Sequence, residues 1–258
     1  MKSVETGPEI PYESREIVGE RILGDKDPRD LSQDEFDASP DLLFHGSAEA
    51  LEFHSGFDYR SQKYLVDNDG STTLGFGFYT TDSRLDATEY SRVRKFHSDS
   101  ELNVAGILPY QARVLDLRWN AETRRNAPFP KSLAQAWKRK FIEYLRSRTP
   151  RKGNLGALLD GCEAEYGLYL DRALNEKGID LRVLLETAAN VRLGSGNYPS
   201  PPWGYLFSDF MLQQGYDGLV YTEGGEGWGG SVASYVFYNL NKVGTFESWQ
   251  KEKGSLGS

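Results

Sequence analysis

Cysteine is nearly absent from this chain. Cys162 is the only one in 258 residues, which excludes an intramolecular disulfide framework and any cysteine-rich zinc site. Histidine is almost as scarce: His45, His54 and His97 are the whole set, and no pair has His-x-x-x-His spacing, so no metal is expected. Long apolar runs are missing too, since none approaches the roughly 18 residues that cross a bilayer. The first ten residues are acidic and broken by Gly7-Pro8, with neither the basic start nor the apolar stretch of a secretory signal. Common catalytic signatures fail in turn. There is no Gly-x-Ser-x-Gly elbow, Cys162 has no histidine partner in sequence, and the glycine-rich stretches lack the Lys-Ser/Thr of a phosphate-binding loop. Asp67-Asn68-Asp69-Gly70 opens like a calcium loop, but its twelfth position is Phe78, where such a loop needs a bidentate Glu.

Enough apolar side chain is present for a substantial core: 38% of residues are hydrophobic and 13% aromatic. At this length one large domain or two small ones are possible. The net charge of −8 is unevenly spread. Residues 1–41 hold 5 Lys/Arg against 12 Asp/Glu, whereas residues 111–152 hold 12 Lys/Arg (Arg124, Arg125, Lys138, Arg139, Lys140, Arg151 and Lys152 among them) against Asp116, Glu122 and Glu143. The molecule as a whole is repelled by phosphate backbones while that one segment is attracted. The segment is either a solvated helical face balanced by acidic neighbours or a docking surface for nucleic acid or an acidic protein, with the acidic stretch able to cover it.

Along the chain, residues 1–40 read as an acidic N-terminal arm with at most one short helix, punctuated by Gly7-Pro8, Ile10-Pro11 and Ser39-Pro40. Leu42-Leu43-Phe44 is a short strand that ends at His45-Gly46-Ser47. Gly75 to Thr81 is aromatic and β-prone, with Asp82 as an N-cap and Ala87, Tyr90 and Arg94 at helical spacing after it. Val104 to Leu117 is strand material, and 131–148 and 155–191 have helical patterns. Trp203 to Gln214 is a helix stopped by Gly215, followed by a strand from Tyr216 to Tyr221. A glycine-rich loop from Glu223 to Gly230 and a strand from Val232 to Val243 complete the domain. The order predicts an α+β domain over 41–250, with 119–200 as a mostly helical insert outside the sheet core and 251–258 as a tail with nothing to pack.

Two islands carry the chemistry. Phe44-His45-Gly46-Ser47, then Gly77-Phe78-Tyr79-Thr80-Thr81-Asp82 through Asp86-Ala87 to Tyr90, resembles the ADP-ribosyltransferases of the diphtheria-toxin and poly-ADP-ribose-polymerase type. That family has a His-Gly-Ser/Thr strand end and a Gly-Phe-Tyr-Ser/Thr-Thr strand. The latter leads into a helix with a second Tyr eleven residues after the first. The likeness covers Leu42 to about Leu117 well and Gly215 to Val243 in outline. It implies split antiparallel β-sheets around a cleft for NAD, bound as substrate without metal. It also implies that His45 hydrogen-bonds a ribose hydroxyl and that Tyr79 and Tyr90 sandwich the nicotinamide ring. Gly46, Ser47 and Thr80 would add backbone and hydroxyl contacts.

The chemistry accounts for those residue types. Breaking the bond between nicotinamide and ribose passes through a cation-like sugar, so the protein must grip the carboxamide, clamp the ribose and place negative charge near the developing cation. The family supplies that charge from a Glu at the start of a Glu-Tyr strand. Here Ser234-Tyr235-Val236-Phe237-Tyr238 matches the strand and Ser234 holds the Glu position. Three readings follow: Glu223 or Glu226 in the glycine-rich loop serves instead; the protein binds NAD without efficient turnover; or the sequence carries an inactivating change near this strand. The expected function is a mono-ADP-ribosyltransferase of toxin or effector type, acting in the cytoplasm or delivered into another cell. Its acceptor would be macromolecular, a protein in preference to RNA or DNA, with no membrane involved. The alternative is a non-catalytic NAD- or ADP-ribose-binding module.

Overall fold

A computed structural model describes residues 19–47, 77–94, 103–120, 125–148, 179, 181, 184–185, 203–223 and 232–256. The chain is α+β. Among the described residues its main sheet has eight strands: β1 (Glu20–Leu23), β2 (Leu43–Ser47), β3 (Phe78–Thr81), β4 (Asn103–Pro109), β5 (Ala112–Leu117), β8 (Gly218–Glu223), β9 (Val232–Phe237) and β10 (Val243–Gly244). They lie in the order β1-β5-β8-β9-β3-β2-β4-β10. Only β5 and β8 run parallel; the other neighbours are antiparallel. A separate hairpin pairs β6 (Trp119–Asn120) with β7 (Arg125–Asn126).

The sheet curls. Leu23 from one edge strand and Val243 from the other join a single inner cluster with Leu43, Phe78, Ile107, Val114, Tyr235 and Phe237. The opposite face is covered by α3 (Lys131–Arg148) and α4 (Trp203–Gln213). Leu133, Trp137 and Phe141 recur four apart on α3, and Phe207, Phe210 and Met211 on α4 meet them over Leu115, Leu219 and Val236. Side chains of this size each contribute roughly 1.5–3 kcal/mol when fully buried. The described part of the predicted insert is therefore core rather than periphery. Trp137 is completely buried and stacks on Phe141 at 5.5 Å, so the basic helix shows only its other face to solvent.

The stretch expected to be an arm is folded from residue 19. Strand β1 pairs with β5, Glu20 opposite Leu115, and the Glu20 carboxylate accepts two bonds from Arg113, at 2.6 and 2.9 Å. A short helix, α1 (Gln33–Asp37), begins with a reciprocal cap: Ser32 Oγ accepts from Glu35 N–H and the Glu35 carboxylate accepts from Ser32 N–H. Phe36 then packs with Leu108 and Trp249.

The expected unpacked tail continues helix α5 (Phe246–Leu256). Its Lys253 Nζ donates to Arg29 O at 3.0 Å, and Gln250 donates to the carbonyls of Arg29 and Leu31. The single strand expected over 104–117 is two, because Tyr110 and Gln111 turn the chain with Gln111 at φ 45. Helix α4 ends as expected. Gly215 adopts φ +82, Tyr216 N–H bonds Met211 O, and Gly215 N–H bonds Leu212 O, a pairing that satisfies the last carbonyls.

Candidate functional site

The segments that carry the two islands and Ser234 lie on three neighbouring strands, β2, β3 and β9. Thr81 is the direct partner of Phe44 on one side and of Ser234 on the other. Opposite residues in a ladder share a face and successive residues alternate. Phe44, Thr81, Tyr79 and Ser234 therefore take one face, and His45, Phe78 and Thr80 the other. The His45 ring stacks on Phe78 at 4.5 Å and 26°, in agreement with that alternation.

Among the described residues the join between β2 and β3 is the narrowest in the sheet, with a single matched pair, Phe44 and Thr81. Beyond it β2 keeps its full ladder to β4, with His45 opposite Ala105 and Ser47 opposite Asn103. On the β3 side, the edge after Phe44 has no strand partner among the described residues. One side chain bridges the seam: His45 Nδ1 lies 2.7 Å from Tyr79 O. A carbonyl only accepts, so Nδ1 carries the proton, and Nε2 of the neutral ring is left as an acceptor. Burial pushes the His45 pKa below its ordinary 6.5, opposed by the bond to the Tyr79 carbonyl. The ring is neutral at physiological pH.

Helix α2 (Arg84–Arg94) packs on β2 beside this seam. It starts one residue later than expected: Ser83, not Asp82, is the cap, with its Oγ accepting from Asp86 N–H at 3.2 Å. Ala87 and Ser91, four apart and both buried, face β2. Ser91 Oγ donates to Ser47 O at 2.7 Å, while Ala87 rests on Gly46. A Cβ on Gly46 would meet the Ala87 carbonyl group, 2.8 Å from its carbon, and lie 3.1 Å from Ser91 N. Gly46 was expected to be glycine so that a ligand could come close; the described reason is that α2 does. Tyr90, the second tyrosine of the motif, is 49% exposed on the same helix, which leaves ring surface for a stacking partner. Sequence reading passed over Ser91, although two small residues four apart on a helix are the pattern of a close helix–strand approach.

The remaining candidates divide. Tyr79 is partly buried against the cluster beneath α3 and α4, so it has a packing role whatever else it does. Thr80 is 5% exposed, and its Oγ1 is buried without a hydrogen-bond partner among the described residues. It lies opposite Tyr235, whose phenol is pushed up first by burial. Ser234 is half-buried and lies opposite Tyr221 as well as Thr81. Glu223 was expected in the loop but is the last residue of β8, opposite Val232. Glu226 and Cys162 lie outside the described residues.

The basic segment is partly consumed internally. Arg113 pairs with Glu20 and lies over the Tyr216 ring at 4.9 Å, Arg118 pairs with Asp116 at 2.7 Å, and Lys140 donates to Gln213. Arg139 and Arg146 on α3 are exposed. Among the described residues no group of three or more His, Cys, Asp or Glu converges in a metal-binding arrangement, and no helix is long and apolar enough to cross a membrane. No family model matches the chain, and neither a curated protein nor a solved structure matches it.

Proposed function

We propose that the seam between β2 and β3, flanked by α2, binds NAD, and that the protein is a mono-ADP-ribosyltransferase acting on a macromolecular acceptor. One observation carries the reading. His45, Tyr79 and Ser234 are far apart in sequence, yet they come from three adjacent strands, and among the described residues β2 and β3 are matched at a single pair. A seam gives an extended dinucleotide access to groups on both faces: the neutral His45 Nε2 as acceptor for a ribose hydroxyl, and Tyr79 with the half-exposed Tyr90 for an aromatic ring. Donors and acceptors without metal suffice for such binding.

The acceptor is a protein side chain in this reading, because net acidity disfavours a polyanion. The exposed Arg139 and Arg146 are where a nucleic-acid acceptor would register. Ser234 favours one alternative, a module that holds NAD or ADP-ribose without turnover, since a hydroxyl cannot offset a sugar cation as a carboxylate does. Nicotinamide release from NAD by the pure protein, with and without cell extract, separates the two. Release that rises with extract supports transfer. Bound NAD with no release under either condition supports the binding module.

A further inference from the structure

A strip of polar side chains crosses the face that His45 shares with the inner cluster. Thr80 is opposite Tyr235, Tyr235 opposite Val220, and Val220 opposite Asp116. Strands β3, β9, β8 and β5 therefore each place one residue in a single row on that face. The surroundings are apolar: Phe78, Val114, Val220, Ala233 and Phe237 are all buried there. Two hydroxyls among them are uncommitted. Thr80 Oγ1 is buried without a hydrogen-bond partner among the described residues. Tyr235 is 5% exposed, and its phenol has no partner among the described residues either. Unpaired buried hydroxyls cost stability, and such groups mark places where a fold holds a partner from outside the chain. Burial pushes the Tyr235 pKa up, so the phenol stays a neutral donor. Arg118 closes the strip. Its Nε and Nη2 bond the Asp116 carboxylate at 2.7 to 3.1 Å, and its backbone N–H donates to the same carboxylate. Asp116 is thus fully engaged, while Arg118 Nη1 has no partner among the described residues. Arg118, Asp82 and Arg21 all act electrostatically on the Tyr235 phenol, which gathers them around one end of the strip. Asp82 is exposed, so water screens its charge.

The uncommitted capacity at this end of the strip is donor capacity: the Arg118 Nη1 hydrogens, the Tyr235 O–H and the Thr80 O–H. Several donors, one of them a guanidinium, suit the oxygens of a phosphate group. We propose that Arg118, Tyr235 and Thr80 form an anion site on the His45 face, and that it holds the diphosphate of a dinucleotide. The ligand's identity rests on the reading of the seam as an NAD site, whereas the anion site stands on the donors themselves. The pair Phe44 and Thr81 brings His45 beside Thr80 across the seam. His45 and Tyr235 are then two strand spacings apart, roughly 10 Å. A ribose on His45 Nε2 and a phosphate on Tyr235 are successive groups of one extended ligand lying across the strands. Asp116 is a positioning residue, because its hold on Nε and Nη2 fixes the fork and leaves Nη1 on the other side of it.

The test is calorimetric titration of NAD and of inorganic pyrophosphate into the wild type, Arg118→Lys, Tyr235→Phe and Thr80→Val. Arg118→Lys keeps a cation for Asp116 and loses the guanidinium fork; the other two substitutions each remove one hydroxyl. Each variant is expected to weaken both ligands about tenfold. Thermal unfolding of Thr80→Val is expected at or above the wild-type midpoint, because the hydroxyl it loses is unpaired. Weaker binding in that variant is then not a loss of folding. A clearly lower midpoint would show that the Thr80 hydroxyl is already spent inside the fold, and overturns its part in the site. NAD affinity within about twofold of wild type in all three variants overturns the inference and leaves the seam as an NAD site. Pyrophosphate binding that depends on Arg118, with no NAD binding in the wild type, keeps the anion site and removes the dinucleotide. Wild-type protein that binds neither ligand overturns both.

Discussion

Replacing Gly46 with alanine adds one methyl group at the tightest contact of the candidate site. Gly46 is not among the positive-φ residues, so the backbone accepts alanine and the penalty is steric. The new Cβ would lie 2.8 Å from the Ala87 carbonyl carbon, against the roughly 3.5–4.0 Å at which carbon atoms attract. Helix α2 must therefore withdraw by about 1 Å. The Ser91 Oγ to Ser47 O bond, now 2.7 Å, would stretch beyond useful range. Overpacking of this kind costs about 1–3 kcal/mol, and a lost buried hydrogen bond adds about 1–3. The lower entropy of the unfolded alanine chain returns about 0.4–1. The net expectation is a destabilisation of about 2–4 kcal/mol. Urea unfolding followed by circular dichroism reads this directly. Because α2 also carries Tyr90, NAD affinity should fall in the same variant. A midpoint shift equivalent to less than about 0.5 kcal/mol would show that α2 does not rest on β2 as described.

Two further outcomes follow from the same geometry. His45 is held below its ordinary pKa, so between that lowered value and about 6.5 the unfolded chain binds more protons than the native one. Stability is therefore fully present above pH 6.5 and declines as pH falls below it. Urea unfolding at pH 7.5 and 5.5 should show a smaller decline in His45→Gln than in wild type, and equal declines would contradict the neutral, half-buried ring. Trp137→Ala removes a side chain enclosed by Phe141, Phe207 and Phe210 and should cost about 3–5 kcal/mol; a loss below about 1 would mean that α3 is not part of the core.

Much of this arrangement is legible in the sequence. The 131–148 periodicity gives α3 its full length because Leu133, Trp137 and Phe141 are strongly apolar on an otherwise basic helix. Gly215 marks the end of α4 because a left-handed residue is needed there. Strand β2 follows from the apolar run Leu42-Leu43-Phe44, and β3 and β9 from β-branched and aromatic runs. What escaped reading depends on contacts that are distant in the chain. Glu20–Leu23 looks like part of a polar arm, and only its pairing with β5 and the Arg113–Glu20 ion pair make it a strand. Gln250–Ser255 has no apolar side chain to pack and is held by the carbonyls of Arg29 and Leu31, more than 200 residues away. Gly46 looks like a ligand-facing glycine because sequence does not reveal the helix lying against it. Glu223 looks like loop because glycines follow it, while its partner Val232 lies on the next strand.

The most direct measurement is a calorimetric titration of NAD into the pure protein, its Tyr79→Ala variant and its His45→Ala variant, in buffer containing a chelator. The account predicts saturable binding at one site in the wild type, unaffected by the chelator, and a loss of about 1–3 kcal/mol in Tyr79→Ala from stacking and apolar contact. His45→Ala should weaken binding as well, through the missing acceptor. No heat of binding in the wild type, or an affinity indifferent to both substitutions, would contradict an NAD site at the β2–β3 seam.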